Sequence, residues 1–151
     1  MIVPDTNLLL YAYDSASPFH RTAATWWKHA LSGSDIVGLI DAVILGFVRI
    51  GTNTRAFQNP MGTAEAVGHV RAWLAQPNVE LLDPAPDLIQ KVLELVEHVG
   101  TAGNLVTDAQ IAATALHYDA VVHTADTDFM RFGNLRWFNP ITETRSRPGK
   151  R

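Results

Sequence analysis

Five aspartates stand where a folded chain has little reason to gather charge. Asp5 ends a short apolar run, Met1 to Pro4. Asp41 follows a second run, Ile36 to Ile40. Asp126 and Asp128 follow a third, Ala120 to His123, and Asp108 opens the helical stretch that leads into it. Singly, each has an ordinary explanation, because aspartate caps helices, starts turns and suits the positive end of the helix dipole. Jointly they do not, because packed carboxylates repel and raise one another's pKa unless a cation neutralises them. An all-oxygen cluster suits a hard cation, Mg²⁺ or Mn²⁺. Such an ion handles phosphates, activating water and steadying charge on a phosphodiester. The chain has no Cys, and its six His are scattered with no i, i+4 pair, which argues against a zinc hydrolase. His117 and His123, flanking the third run, read as surface or packed histidines.

The elements that must position these acids alternate between strand and helix. Met1 to Pro4, Ile36 to Ile40, Val79 to Leu82, Ala120 to His123 and Leu135 to Phe138 read as strands. Leu8 to Tyr13 reads as a helical turn. Pro18 to Leu31, with Ser17 as N-cap and Gly33 as stop, reads as a helix. So do Asp41 to Thr54, Thr63 to Ala75, Asp87 to Val99 and Thr107 to Tyr118; Leu88, Val92, Leu95, Val96 and Val99 share one helical face. This alternation predicts a parallel sheet covered on both faces. Ligands in such sheets bind beyond the carboxyl ends of the strands, where these acids fall.

At 151 residues the chain predicts one domain, 1–142, followed by a short tail, 143–151. With 47% hydrophobic and 18% charged residues it is too apolar to be disordered. The net charge of −3 excludes nucleic-acid binding by bulk charge. That charge is uneven. Arg145, Arg147, Lys150 and Arg151 make the tail basic, leaving −7 on the preceding 144 residues. Four of the acids in one site would account for most of that excess. The start of the chain lacks a signal-peptide pattern and no window resembles a membrane span, so the expectation is a cytoplasmic protein.

Four motifs, in order, carry a family resemblance. They are Pro4-Asp5-Thr6-Asn7-Leu8-Leu9, Gly46-Phe47-Val48-Arg49-Ile50, Asn104-Leu105-Val106-Thr107-Asp108-Ala109 with the Ile111-Ala112-Ala113 helix, and Thr124-Ala125-Asp126-Thr127-Asp128-Phe129. Over nearly the whole chain the sequence resembles the PIN-domain ribonucleases, and among them the VapC toxins of type II toxin–antitoxin modules. The resemblance implies a three-layer α/β/α sandwich with a central parallel sheet. It also implies Mg²⁺- or Mn²⁺-dependent endoribonuclease activity on tRNA or rRNA, through metal-activated water. It carries metal-binding roles to Asp5, Asp108 and Asp126, with Asp128 as an auxiliary catalytic acid. Asn7 and Thr124 match polar positions that orient those carboxylates.

One position departs from the family. Many PIN domains carry a Glu in the helix after the second strand, and Gly46 stands there. Asp41 is the available substitute, as a helix cap or as a further acid at the site. The departure keeps open a second reading, an RNA- or metal-binding module with weak or no cleavage. Two other acidic α/β enzymes fit less well. A haloacid-dehalogenase-like phosphatase needs an Asp where Asn7 stands, and a response-regulator receiver needs a Lys near the last strand, where none occurs.

RNA must also be held. Arg49, Arg55, Arg131 and Arg136 are the candidate phosphate contacts outside the tail, with Arg49 alternatively an ion-pair partner of a site Asp. The four tryptophans, Trp26, Trp27, Trp73 and Trp137, suit core or interface positions better than base stacking. The resemblance further implies a small antitoxin partner and a homodimer. Trp26-Trp27 and the Thr63 to Ala75 helix are the apolar faces expected to serve such contacts.

Overall fold

The computed structural model describes residues 1–147. The strands are β1 (Ile2–Pro4), β2 (Val37–Leu39), β3 (Val79–Leu81), β4 (Val121–His123), β5 (Trp137–Asn139) and β6 (Thr144–Arg145). The helices are α1 (Thr6–Tyr13), α2 (His20–Ser32), α3 (Asp41–Gly51), α4 (Thr63–Leu74), α5 (Leu88–Val99) and α6 (Leu105–His117). A 3₁₀ helix spans Thr127–Arg131.

The strands form one sheet in the order β3-β2-β1-β4-β5-β6, parallel from β3 through β5, with β6 antiparallel at the edge. The chain steps outward from β1 to β2 to β3, then returns across the sheet to β4. Right-handed crossovers therefore place α1–α4 on one face and α5–α6 on the other, the expected sandwich. α1 packs on α2 and α3, and α5 packs on α6. The reversal falls between β1 and β4, which makes their carboxyl ends the switch point where such folds bind ligands. Val3, Leu39 and Val122 are fully buried at the centre of the sheet, and Phe47 and Trp73 fill the helical layer.

Element ends differ from expectation where local hydrogen bonds intervene. α2 starts at His20 rather than Pro18, because the Ser17 hydroxyl accepts from the Phe19 amide in a preceding turn. The segment after Thr142 is not wholly a solvated tail. Thr144–Arg145 pair with β5, and the Ser146 amide donates to the Trp137 carbonyl. Lys150 and Arg151 lie outside the described residues. The tryptophans divide between core and partly exposed positions, with Trp137 half-buried on β5. Trp27 and Trp73 are buried, and half-buried Trp26 donates to His123. No described helix is long and apolar enough to cross a membrane.

Candidate metal and nuclease site

Two strand ends build the site. The Asp5 amide donates to the His123 carbonyl at 2.9 Å, extending the β1–β4 ladder by one step and fixing Asp5 beside Thr124. From there the chain after β4 is held by its own side chains. The Thr124 hydroxyl donates to Asp5 Oδ2 at 2.9 Å and accepts from the Asp126 amide at 2.9 Å. Asp126 Oδ1 in turn accepts from the Asp128 amide at 2.9 Å, capping the 3₁₀ helix. Asp108 arrives separately, on the first turn of α6. Since α6 leads into β4, its N-terminus lies at the same sheet edge.

The outcome is a triangle of carboxylates. Asp108, Asp126 and Asp128 each present an oxygen within 4.8 Å of the others. Asp5 is outside that triangle and is joined to it through Thr124, with Oδ1 free of side-chain partners among the described residues. Sequence reasoning groups Asp5, Asp108 and Asp126 with Asp128 as auxiliary. The geometry groups Asp128 with Asp108 and Asp126 and sets Asp5 beneath a hydroxyl.

The electrostatics are those of a site built around a cation. Burial pushes the Asp5 carboxyl up to about 6, with Asp126 adding repulsion. The Thr124 hydroxyl and the Thr6 and Asn7 amides oppose that rise. Burial pushes Asp108 up to about 7, helped by Asp5, Asp126 and Asp128. Anionic oxygens crowded in this way form a donor set that a hard divalent cation fits. Next to them His123 is neutral. Burial lowers it to about 4, and its Nδ1 accepts from Trp26 Nε1 at 2.9 Å.

The remaining expectations divide. Asn7 is exposed, and its side chain bonds to none of the acids among the described residues; only its amide serves Asp5. Asp41 does not cap α3, whose N-cap is Ile40. It is exposed, stands outside the triangle, and accepts from the adjacent Ala42 amide at 2.7 Å. Gly46 is buried on α3 against α1, where an added Cβ would lie 3.4 Å from Thr6 Oγ1. The third carboxylate of the triangle comes from Asp128 rather than from α3.

Of the arginines, Arg131 lies at the site edge, 3.7 Å from Asp128. Arg49 and Arg55 are exposed and form no ion pair among the described residues. Arg136 is at the opposite edge. It precedes β5 at the amino end of the sheet, bonded to the Asp119 carboxylate at 2.6 Å and to the Asp119 carbonyl. Sequence reasoning missed Tyr11. Burial raises its phenol, and Asp5 and Asp126 raise it further, so it stays a proton donor close to the acids. Its spacing of i+4 from Asn7, on the exposed face of α1, is the one available signal.

A model of the PIN domain family matches residues 2–135. The chain is 46% identical over 143 residues to Ribonuclease VapC33 of Mycobacterium tuberculosis, covering 95% of this chain and 100% of that relative. It is 37% identical over 140 residues to Ribonuclease VapC37 of the same species, covering 93% and 97%. Among solved structures it is similar to M. tuberculosis VapC20, described as a sarcin-ricin loop cleaving toxin. The TM-score is 0.67 and the identity 20%, over 88% of this chain and 95% of that one. VapBC-1 from nontypeable Haemophilus influenzae gives a TM-score of 0.64 at 20% identity, over 93% and 98%. At that identity both likenesses concern the fold.

Proposed function

This chain belongs to the PIN domain family, and from that premise we propose that it is the endoribonuclease toxin of a toxin–antitoxin pair. It requires Mg²⁺ or Mn²⁺ and cuts structured RNA, tRNA or rRNA. The observation that carries this reading is the triangle of Asp108, Asp126 and Asp128 at the β1–β4 switch point, beside buried Asp5. The relatives called Ribonuclease VapC support the activity. An antitoxin partner and a homodimer belong to the same reading and rest on the resemblance to VapC toxins.

Asp108, Asp126 and Asp128 would hold the cation, with Asp5 beside them. When bound, it neutralises phosphodiester charge and makes water a stronger nucleophile at neutral pH. The Thr124 hydroxyl fixes the rotamer of Asp5 and the turn that carries Asp126, so both carboxylates are oriented before substrate arrives. Asp5 Oδ1 is free of side-chain partners among the described residues, and a bound cation would draw off the proton that burial favours on this carboxyl. The Tyr11 phenol remains protonated beside these acids and offers a donor to a phosphate oxygen. Arg131, Arg49 and Arg55 are the arginines available to RNA phosphates around the site.

Sequencing of RNA 5′ ends after brief expression tests the reading, with Asp5→Ala as control. Discrete new ends with the wild-type chain and none with the variant are expected. Identical end profiles for the two would refute it.

A further inference from the structure

One surface outside the acid site combines charge and aromatic rings in a single row. β4, β5 and β6 are in register at His123↔Phe138 and Phe138↔Arg145, so these three side chains share one face of the sheet. The His123 and Phe138 rings lie 5.1 Å apart, and the Arg145 guanidinium lies 5.3 Å over Phe138. Trp26 closes the inner end through its bond to His123. An open cleft of about 420 Å³ runs along this row, with Arg136, Trp137 and Arg147 also in its walls.

The charge on this face is positive. Arg136 is neutralised by Asp119, but Arg145 and Arg147 make no ion pair among the described residues. Asp35 and the N-terminal amine act on His123 with opposite sign. The cleft itself contains no acid, and its one aliphatic wall is Val121. A groove for an amphipathic helix would need a run of aliphatic side chains, which this face lacks. Free cations beside a row of aromatic rings, His123 and Phe138 meeting edge to face, instead match the phosphates and bases of single-stranded RNA. The row also leads directly to the acids, because His123 is followed by Thr124, which bonds Asp5 and Asp126.

We propose that the β4–β6 face is an RNA track, holding the single-stranded segment that flanks the scissile phosphate. Arg145 and Arg147 contact phosphates, and the exposed Arg145 guanidinium, 5.3 Å over Phe138, stands beside the ring where a base would lie. The inference rests on the ribonuclease reading, and its test separates the two by measuring binding apart from cleavage.

The probe is a short fluorescein-labelled single-stranded oligoribonucleotide, followed by anisotropy in EDTA across a salt series. Replacing Arg145→Gln and Arg147→Gln together removes two phosphate contacts. The salt slope should fall by about 1.4, and affinity near 0.1 M salt by about 25-fold. With Mg²⁺, KM for RNA should rise while kcat stays within about twofold. Arg147→Gln alone lies beyond the β6 pairing and should lower the slope by about 0.7 even if the double variant fails to fold. Unchanged slope and affinity in a variant that melts like the wild type would overturn the track. Intact RNA binding with lost antitoxin binding would overturn it too, marking the face as a protein site. An RNA-binding wild type that never cleaves would sink the ribonuclease reading, while the anisotropy still decides the track.

Discussion

Replacing Asp5→Asn should make the metal-free protein more stable at neutral pH. Asp5 is 4% exposed, and burial raises its pKa from 3.8 to about 6. An acid with a raised folded pKa binds more protons in the folded state, so stability falls as pH rises. Below about pH 4 the carboxyl is protonated in both states and carries no penalty. Between about pH 4 and pH 6 the unfolded chain ionises first. Above about pH 6 the full penalty, about 3 kcal/mol, is present. Asn keeps the shape and still accepts from Thr124, but carries no charge. In EDTA at pH 8 the variant should therefore gain about 2–3 kcal/mol, roughly 5–10 °C in Tm for a domain of this size. The gain should vanish at pH 4 and shrink with excess Mg²⁺, which stabilises the wild-type carboxylates. Thermal unfolding across that pH range, with and without Mg²⁺, measures all of this. A variant no more stable than wild type at pH 8 in EDTA would refute the reasoning.

Four further outcomes follow from other contacts. Thr124→Val removes the donor to Asp5 and the acceptor for the Asp126 amide inside a buried site. It should cost about 1–3 kcal/mol by urea unfolding and lower cleavage at least tenfold, with Thr124→Ser close to wild type. Divalent cation binding at pH 6.5 should release about one proton, since Asp5 titrates near 6 and Asp108 near 7. Calorimetry in buffers of different ionisation enthalpy reads that number, which should fall towards zero at pH 8. Gly46→Ala should stabilise α3 by about 0.5–1 kcal/mol, because its Cβ meets Thr6 at ordinary contact distance. Gly38→Ala should instead destabilise by about 1–3 kcal/mol, because its Cβ would fall 2.6 Å from Leu82 Cδ1 in a buried strand.

The acids were legible because charge at the ends of apolar runs has few structural uses, and a parallel sheet brings such ends to one edge. What spacing did not encode is which oxygens meet. Asp128 joins Asp108 and Asp126 where Asp126 Oδ1 accepts from the Asp128 amide and tightens the turn. For Arg136 the sequence does not show which sheet edge it occupies, because a cation beside a strand looks the same at either end until the register is known; Val122↔Trp137 puts it at the amino edge. β6 was missed because Thr144–Arg145 is a polar two-residue strand with no alternation to read. Trp26 and His123 are 97 residues apart, and no local pattern predicts their bond.

On the reading proposed above, the clustered carboxylates make this chain a metal-dependent ribonuclease. Incubation of purified protein with total RNA and Mg²⁺ or Mn²⁺, followed by end-group analysis, decides that reading. Discrete products with 5′-phosphate and 3′-hydroxyl ends are predicted, abolished by EDTA and by Asp108→Asn. Cleavage that persists in EDTA, or products ending in 2′,3′-cyclic phosphate, would contradict it.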